Sequence, residues 1–300
     1  MNDKIYKKNT HFYYLKSKER VTDSSTLQRL QSIKVPPAWT NVWYASNKKS
    51  HIQVYGTDSS GKKQYILSSE WITRSTTLKY LRMKRFMQNL PTFKKKIVLP
   101  QRIGVLDKTI IVHLMFHLLM ETHIRVGNEI YAEQNKTYGL TTLRQKHVHK
   151  NGDHFYLKFI GKSGIKHSIQ VPSEYTTILS KLKETPEHKN TPFFMYNGVR
   201  IHSDELNTYL KEHMGKEYTC KDFRTYSANI LFINSFLKKC KHSQNPKKVI
   251  LESIDESARL LGHTRNISKK SYISSQLLDY CLNSFDSASG SSSVSLLSKV

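Results

Sequence analysis

The chain contains few cysteines, few glycines and prolines, and no long apolar run. Its 3 cysteines among 300 residues are odd in number and far apart, which excludes a disulfide framework and a Cys-x-x-Cys metal site; they are Cys220, Cys240 and Cys281. With 12 glycines, 8 prolines and 38% hydrophobic residues, the composition is that of a globular protein. No stretch reaches the roughly 18 apolar residues of a spanning helix, and residues 1 to 14 hold no apolar signal segment. We expect a protein of a reducing compartment, the cytosol or the nucleus.

Acidic residues are also scarce: 23 Asp and Glu face 48 Lys and Arg, which leaves a net charge of +25. The basic residues are spread over the whole length, so the folded body itself should be cationic and should bind a polyanion. The 17 tyrosines and 12 phenylalanines that lie between the basic residues favour nucleic acid over a membrane surface. On composition alone, a ribosomal or other purely structural nucleic-acid binder remains an alternative to an enzyme.

The N-terminal quarter has the pattern of a small β-rich domain. Residues 51 to 55 alternate in polarity, residues 56 to 61 form a turn rich in glycine and serine, and residues 64 to 67 resume the strand pattern. A basic helix is predicted from Leu78 to Leu90, with Ser75, Thr76 and Thr77 as its cap. Residues 72 to 78 are therefore the predicted linker, and the first domain covers residues 1–75.

The remainder predicts a larger, mainly helical domain over residues 76–283. The helix from Asp107 to about Ile124 is apolar almost all round, which is typical of a buried central helix. Period-two segments between residues 140 and 172 predict a three-stranded β-meander, with Lys162 at the tip of its second hairpin. Further helices are predicted at Ser173–Glu184, Ser203–Met214, Cys220–Lys239, Pro246–Leu261 and Ser268 to about Phe285. The fold class is α+β, and the serine-rich residues 284–300 are predicted to be a disordered tail.

Two short patterns suggest a ligand site but lack the required context. His113 and His117 lie one turn apart on the second predicted helix, yet no glutamate follows His113 and no third metal ligand is evident. We interpret both as hydrogen-bonded core histidines. Gly161-Lys162-Ser163 ends like a phosphate-binding loop, but Tyr156 stands where that loop needs its first glycine. The sequence therefore predicts no metal site and no nucleotide site.

One tyrosine lies in an unusually basic segment. Residues 262 to 272 read Gly-His-Thr-Arg-Asn-Ile-Ser-Lys-Lys-Ser-Tyr, and the amphipathic residues 257 to 261 precede them. A phenol has a pKa of about 10, so it becomes a nucleophile at neutral pH only where cations or a base favour the phenolate. Positive charge is supplied here by His263, Arg265, Lys269 and Lys270. Tyr272 is therefore a candidate nucleophile, with chance placement beside a basic surface as the alternative.

Four other motifs join this segment in a definite order along the chain. They are Gly56 to Tyr65, Arg125-Val126-Gly127-Asn128-Glu129, Gly161-Lys162-Ser163-Gly164 and Lys221-Asp222-Phe223-Arg224-Thr225-Tyr226. Together with Leu261-Gly262-His263-Thr264 and Tyr272, this order resembles type IB DNA topoisomerases, in particular their small poxvirus-type branch. The resemblance spans residues 27 to 283.

The resemblance implies an enzyme that breaks and rejoins one DNA strand, and it implies a role for each of five residues. Tyr272 would be the nucleophile that becomes linked to the DNA 3′-phosphate. Arg125 and Arg224 would clamp the scissile phosphate, because planar guanidinium groups match phosphate oxygens better than lysine does. His263 would donate to the remaining nonbridging oxygen, and Lys162 would be the general acid for the 5′-oxygen. Ordinary surface salt bridges are the alternative role for such side chains.

The resemblance also implies the partner, which is duplex DNA held by a monomer whose two domains close around it. No metal, nucleotide or other cofactor is expected. Lys62, Lys63 and Tyr65 fall in the hairpin that contacts the major groove in the family, and Lys221 lies three residues before the second arginine. An enzyme of this branch would act in the cytoplasm or nucleus of a host cell, with packaging in the virion as a further option.

Two rival functions remain open at this stage. Tyrosine recombinases share the catalytic-domain fold and the order of the five residues, but they usually carry histidine where Lys221 stands. A nonenzymatic basic DNA binder would have the charge without the chemistry. The hairpin also departs from the poxvirus pattern, with Ser163 in place of aspartate, so no DNA sequence preference is carried over.

Overall fold

The computed structural model describes residues 4–100, 102, 104–183 and 188–285. It divides into two compact units, Met1–Lys79 and Tyr80–Val300. Of the predicted serine-rich tail, residues 286–300 lie outside the described residues. Phe285, which lies inside the predicted tail, is buried with its ring centroid 5.9 Å from that of Phe236.

The first unit is an antiparallel sheet covered by one helix. Its elements are β1 (Lys4–Lys8), β2 (His11–Tyr14), α1 (Ser24–Ser32), β3 (Thr40–Ala45), β4 (Ile52–Thr57) and β5 (Lys63–Leu67). The strand order is β2-β1-β3-β4-β5. One face of the sheet forms a core with Val21 and Leu30, to which the strands contribute Ile5, Phe12, Tyr44 and Val54. The prediction of a small β-rich N-terminal unit is confirmed.

The opposite face of this sheet carries a row of aromatic residues, one from each strand. Successive residues of a strand point to opposite faces, so the neighbours of the core residues form this row in the order Tyr13, Tyr6, Trp43, Tyr55 and Tyr65. Tyr6 is paired with Tyr13, and Tyr55 is paired with both Trp43 and Tyr65. The Lys4 ammonium lies 5.3 Å from the Tyr55 ring centroid. This face is therefore both aromatic and basic.

A long helix, α2 (Ser69–Lys96), follows the sheet and corrects the predicted linker. The prediction of a linker at residues 72 to 78 and of a helix start at Leu78 was wrong, because the helix already begins at Ser69. Ser68 Oγ accepts a hydrogen bond from the Trp71 amide at 3.1 Å. Ser75 and Thr77 do not cap a helix; each hydroxyl donates to a carbonyl of the preceding turn.

The second unit is mainly helical and contains the predicted meander. Its elements after α2 are α3 (Lys108–Glu121), α4 (Glu129–Gln134), β6 (Val148–Asn151), β7 (His154–Ile160), β8 (Lys166–Gln170), α5 (Thr176–Lys183), β9 (Met195–Tyr196), β10 (Val199–Arg200), α6 (Ser203–His213), α7 (Cys220–Lys239), α8 (Pro246–Leu261), α9 (Arg265–Ser271) and α10 (Ser275–Asn283). The antiparallel sheet β6-β7-β8 confirms the three-stranded meander.

Helix α3 is the buried centre of this unit, as its sequence predicts. Eight of its 14 residues are buried. The two histidines on it are satisfied core residues: His113 contacts the Val98 carbonyl at 2.9 Å and Tyr209 Oη at 2.6 Å, and His117 contacts the Ile97 carbonyl at 2.8 Å. Over the described part of the chain, no helix combines the length and the apolar character needed to cross a membrane.

The single helix predicted from Ser268 to about Phe285 is two helices, α9 and α10, separated at residues 272–274. Thr264 Oγ1 caps the start of α9 by accepting from the Ile267 amide, and Ser274 Oγ caps the start of α10. The sequence prediction was wrong here because a helix break that is capped by serine has no glycine or proline to mark it. Tyr272 therefore stands at the end of a short helix.

An aromatic cluster joins α2, α3 and α7, with Phe223 at its centre. Truncation of this residue tests how much the cluster contributes to stability. The Phe223 ring lies 5.0 Å from Phe86 and 5.9 Å from Phe116, and it is 1% exposed. We predict that Phe223→Ala lowers the free energy of unfolding by about 3–5 kcal/mol, because it leaves a cavity among rings that cannot collapse. Urea unfolding measures the change, and Leu251→Ala on α8, where the side chain is 40% exposed, should shift it by no more than about 0.5 kcal/mol.

Candidate active site

Arg224 is a buried cation in the first half of α7. Its side chain donates one hydrogen bond of 2.5 Å to the His123 carbonyl and a second to the Leu261 carbonyl. Its Nε is buried with no hydrogen-bond partner among the described residues. Burial and the charge of Arg125 lower the pKa of Arg224 to about 10, so the guanidinium remains charged at neutral pH. A charged group with unused donor capacity in a buried place is suited to bind an anion.

Arg125 lies on a loop that the following segment holds in place. The Leu140 amide donates to the Arg125 carbonyl at 2.8 Å, and the Thr141 amide donates to the Val126 carbonyl at 2.7 Å. Gly139 allows this approach, since a Cβ there would lie 2.5 Å from the Arg125 carbonyl oxygen. Gly127 has a φ of 100°, a conformation that glycine adopts without strain. The glycine of the Arg-x-Gly motif is therefore required by the backbone conformation of this loop.

Tyr272 is half-buried between two of the predicted site residues. Its ring stacks on the His263 ring with centroids 4.7 Å apart and an interplanar angle of 12°. The Arg224 guanidinium carbon lies 6.0 Å from its ring centroid. Burial opposes ionisation of the phenol, but the charges of Arg224 and Arg125, a hydrogen bond with Arg224 and the charge of Lys221 outweigh burial, and the pKa of Tyr272 is lowered from its ordinary value. Ionisation is therefore easier for this tyrosine than for a free phenol.

The backbone around Tyr272 is held by Asn229, one and a half turns beyond Arg224 on α7. The fully buried Asn229 amide donates to the Tyr272 carbonyl at 2.9 Å, and its oxygen accepts from the Ser274 amide at 3.0 Å. Sequence reasoning missed this residue. The available signal was a single amide side chain inside the apolar run of residues 228 to 233.

His263 is a neutral imidazole with one ring nitrogen that has no hydrogen-bond partner among the described residues. Its Nδ1 is 3.0 Å from Ser268 Oγ, and its Nε2 is buried with no partner in the described chain. Burial, with the charges of Arg224 and Arg125, lowers the pKa of His263 to about 4. If the serine hydroxyl donates to Nδ1, the ring carries its hydrogen on Nε2 and can donate it to a ligand. Sequence reasoning did not single out Ser268.

Lys162, on the meander, lines a cavity together with Arg125 and Arg224. It lies in the turn between β7 and β8, where Ser163 and Gly164 have φ angles of 63° and 75° and the Gly161 amide donates to the Ile165 carbonyl at 2.7 Å. The cavity adjoins this turn. The lysine is exposed, so its ammonium group can move toward a ligand in that cavity.

The residues predicted to contact DNA fall into two groups. Lys62, Lys63 and Tyr65 are exposed on the β4–β5 hairpin of the first unit, whose turn is closed by Asp58 accepting from the Lys62 amide at 2.9 Å. Lys221 is exposed in the first turn of α7, one helical turn before Arg224. The five predicted catalytic residues all belong to the second unit.

Comparison with known families agrees with this arrangement. Residues 68–288 match the family described as eukaryotic DNA topoisomerase I, catalytic core, and residues 11–58 match the bacterial DNA topoisomerase IB N-terminal domain. The chain belongs to the type IB DNA topoisomerase family. The resemblance seen in the sequence motifs is thereby confirmed, and the tyrosine recombinase alternative is set aside.

Two viral topoisomerases match this chain over most of their own length. The chain is 34% identical to DNA topoisomerase 1B of Acanthamoeba polyphaga mimivirus over 286 residues, which is 91% of this chain and 84% of that protein. It is 27% identical to DNA topoisomerase 1B of vaccinia virus (strain Copenhagen) over 271 residues, 86% of this chain and 82% of that protein. A solved post-cleavage complex of the XerH site-specific recombinase shares 16% identity over 66% of this chain and 51% of that one, with a TM-score of 0.40.

The neutral state of His263 predicts how stability depends on pH. Its pKa is about 4 in the folded chain and about 6.5 in an unfolded one, so the folded state binds fewer protons between these values. The contribution of His263 to stability is therefore present above about pH 6.5 and is lost as the pH falls toward 4. Urea unfolding at pH 7.5 and pH 5 should show a smaller loss for His263→Gln than for the wild type.

His242→Gln is the matched control for this measurement. His242 is an exposed histidine after α7, and its replacement should leave the loss between the two pH values as it is in the wild type. The other buried histidines are present in all three proteins and cancel in the comparison. An equal loss for wild type and His263→Gln would contradict a neutral, buried His263.

Proposed function

We propose that this topoisomerase relaxes positive and negative supercoils by cutting one DNA strand through a 3′-phosphotyrosyl intermediate at Tyr272 and then rejoining it. The observation that carries the proposal is the position of the Tyr272 ring, stacked on neutral His263 and 6.0 Å from the buried Arg224 guanidinium. These neighbours favour the phenolate and leave donors free for an anion beside it. Such a set of groups is suited to attack on a phosphodiester.

In the cleavage step the Tyr272 phenolate attacks the phosphorus of the scissile phosphodiester. A bond forms between Tyr272 Oη and phosphorus, the bond from phosphorus to the 5′-oxygen breaks, and that oxygen takes a proton from the Lys162 ammonium. Arg125 and Arg224 bind the nonbridging oxygens, and His263 Nε2 donates to one of them. Positive charge and donors that are already in place stabilise the charge that develops on phosphate without a rearrangement of solvent.

Rejoining reverses these steps. The free 5′-hydroxyl attacks the phosphotyrosine, gives its proton to neutral Lys162 and releases Tyr272. Because the phosphotyrosyl bond keeps the energy of the broken phosphodiester, the reaction needs no ATP. Because arginines supply the positive charge, it needs no metal ion and no other cofactor. Supercoils relax while the strand is open.

The partner is duplex DNA, bound by a monomer whose residues 1–75 and 76–283 close around it. The net charge of +25 and the exposed Lys62, Lys63 and Lys221 would neutralise backbone phosphates. Tyr65, 52% exposed at the end of the aromatic row, is placed to meet a base edge or sugar. The viral relatives favour the cytoplasm or nucleus of a host cell, or the virion, as the place of action.

The first test removes the nucleophile alone. Tyr272→Phe should abolish both the covalent protein–DNA adduct and relaxation, because the ring is kept and only the hydroxyl is lost. Duplex binding should stay within a few fold, since phosphate charges dominate the affinity. The measurements are denaturing gel capture of the adduct and plasmid relaxation, with Tyr131→Phe, an exposed tyrosine on α4, as the control that keeps full activity. An active Tyr272→Phe variant would reject the assignment, and a wild type that binds without forming any adduct would favour the nonenzymatic binder.

The second test concerns cofactors. Relaxation of positively and negatively supercoiled plasmid should proceed in EDTA and without ATP at a rate close to that with Mg²⁺ and ATP present. A strict requirement for a metal ion would contradict charge stabilisation by Arg125 and Arg224 alone, and a strict requirement for ATP would contradict storage of the bond energy in the phosphotyrosine. The salt dependence of the same assay serves as its control, because electrostatic binding must weaken steeply with salt.

The third test separates the acid from the clamps. An alkoxide is a poor leaving group, because its conjugate acid is about as weak as water, whereas a thiolate leaves without a proton, because a thiol has a pKa of about 8.5. Lys162→Ala should therefore lose roughly 10² to 10⁴ in cleavage rate on normal DNA and recover most of it when sulfur replaces the bridging 5′-oxygen. Single-turnover cleavage of matched oxygen- and sulfur-bridged duplexes measures both rates.

Two variants control this comparison. His263→Ala should not recover on the sulfur-bridged duplex, because its role on a nonbridging oxygen is unchanged by the leaving group. Lys150→Ala removes an exposed lysine from β6 of the same meander and should cleave both duplexes at the wild-type rate. Equal defects of Lys162→Ala on the two duplexes would show that this lysine only binds phosphate.

A further inference from the structure

One imidazole outside the five predicted residues lies between two parts of the active site. His167, on β8, is paired with Phe159 and stacks on its ring with centroids 4.8 Å apart. On one side a Cβ at Gly161 would lie 2.7 Å from His167 Cδ2 and Nε2. On the other side a Cβ at Gly262 would lie 2.7 Å from His167 Cε1. Contacts this short mean that a side chain at either position would displace the His167 ring from its present place.

The two glycines are the residues immediately before two site residues. Gly161 precedes Lys162 in the β7–β8 turn, and Gly262 precedes His263 at the end of α8, where its φ of 62° ends the helix. The His167 ring therefore touches the backbone that carries the candidate general acid and also the backbone that carries the candidate phosphate donor. A change in the width of this side chain must move one of the two relative to the other.

The surroundings of the ring favour its uncharged form. His167 lines the cavity that Arg125, Lys162 and Arg224 also line. Burial, with the charges of Arg224 and Arg125, lowers the pKa of His167. An uncharged ring can lie beside these cations without repelling them, which suits it as a spacer in a cationic site.

We propose that His167 is a positioning residue, which sets the place of Lys162 by holding the β7–β8 turn at a definite distance from the Gly262–His263 junction. The proposal rests on the function proposed above, in which Lys162 protonates the 5′-oxygen. It adds a residue that acts through the lysine and needs no contact with DNA of its own. A displacement of about 1 Å in a catalytic group can cost on the order of 10²-fold in rate.

The primary experiment uses the leaving group to identify the route of the effect. His167→Ala should lower single-turnover cleavage of the oxygen-bridged duplex by on the order of 10²-fold and should leave the sulfur-bridged duplex within about threefold of wild type, because no proton is needed there. Duplex affinity should be unchanged. Recovery on sulfur also shows that the variant is folded. His167→Gln, whose flat amide fills part of the space, should fall between wild type and His167→Ala on the oxygen-bridged duplex.

A second perturbation compresses the same contact from the other side. Gly161 has a φ of −94°, which alanine tolerates, so Gly161→Ala should disturb cleavage only through its clash with the ring. The double variant Gly161→Ala/His167→Ala should lose less than the product of the two single losses, since the new methyl group enters the space that the ring leaves. Gly104→Ala, where a Cβ meets nothing within 4 Å, and the exposed His149→Ala are matched controls with wild-type cleavage.

The outcomes separate the two proposals. Equal defects of His167→Ala on both duplexes, an unchanged rate on the oxygen-bridged duplex, or a double variant that loses the full product would each overturn the role of His167. If His167→Ala does not fold, Gly161→Ala, which keeps the ring, answers the same question by its recovery on sulfur. A wild type that forms no adduct, or a Lys162→Ala variant without recovery on sulfur, would instead reject the proposed function itself.

Discussion

A buried guanidinium needs oxygen acceptors for its N–H groups, because water cannot reach it. Arg224 meets this need with the His123 carbonyl after α3 and the Leu261 carbonyl at the end of α8. Arg224 lies about 100 residues after His123 and about 40 residues before Leu261, so the two bonds join three distant segments of the chain. The Arg125 loop follows His123, and the Gly262–His263 junction follows Leu261. The Arg224 Nε has no partner in the described chain and is an unused donor for a ligand oxygen. A bound phosphate would therefore offset part of the free-energy cost of burying this charge.

The other site groups are held by polar side chains that take no part in the proposed chemistry. Asn229 binds the backbone on both sides of Ile273, which fixes Tyr272 at the end of α9. Ser268 bonds to His263 Nδ1, and Nε2 keeps no partner among the described residues. His167 occupies the space that two glycines leave beside Lys162 and His263. A site with several cations and a phenol needs such supports, since the charged groups repel one another until an anion is bound.

The two faces of the sheet in the first unit differ in composition. The core face packs against α1, while the other face presents five aromatic residues in one row with Lys4 beside them. Cross-strand aromatic pairs stabilise a sheet, and the same rings with nearby lysines suit contact with a nucleic acid. The row was not visible in the sequence, because its members are spread over residues 6 to 65 and only strand register brings them together.

The sequence alone determined the family, the α+β class, the meander and the bounds of α7 and α8, because these depend on local periodicity, caps and ordered motifs. The same ordered motifs predicted the five candidate site residues. The sequence also indicated that His113 and His117 are core residues. It did not determine the continuous α2 or the break at Tyr272, since the same serines and threonines can cap a helix or bond back within one. Asn229, Ser268 and His167 were beyond its reach for a related reason. Each contacts atoms that only the tertiary structure brings near. The contact of the His167 ring with Gly161 and Gly262 cannot be predicted from the sequence around any one of these residues.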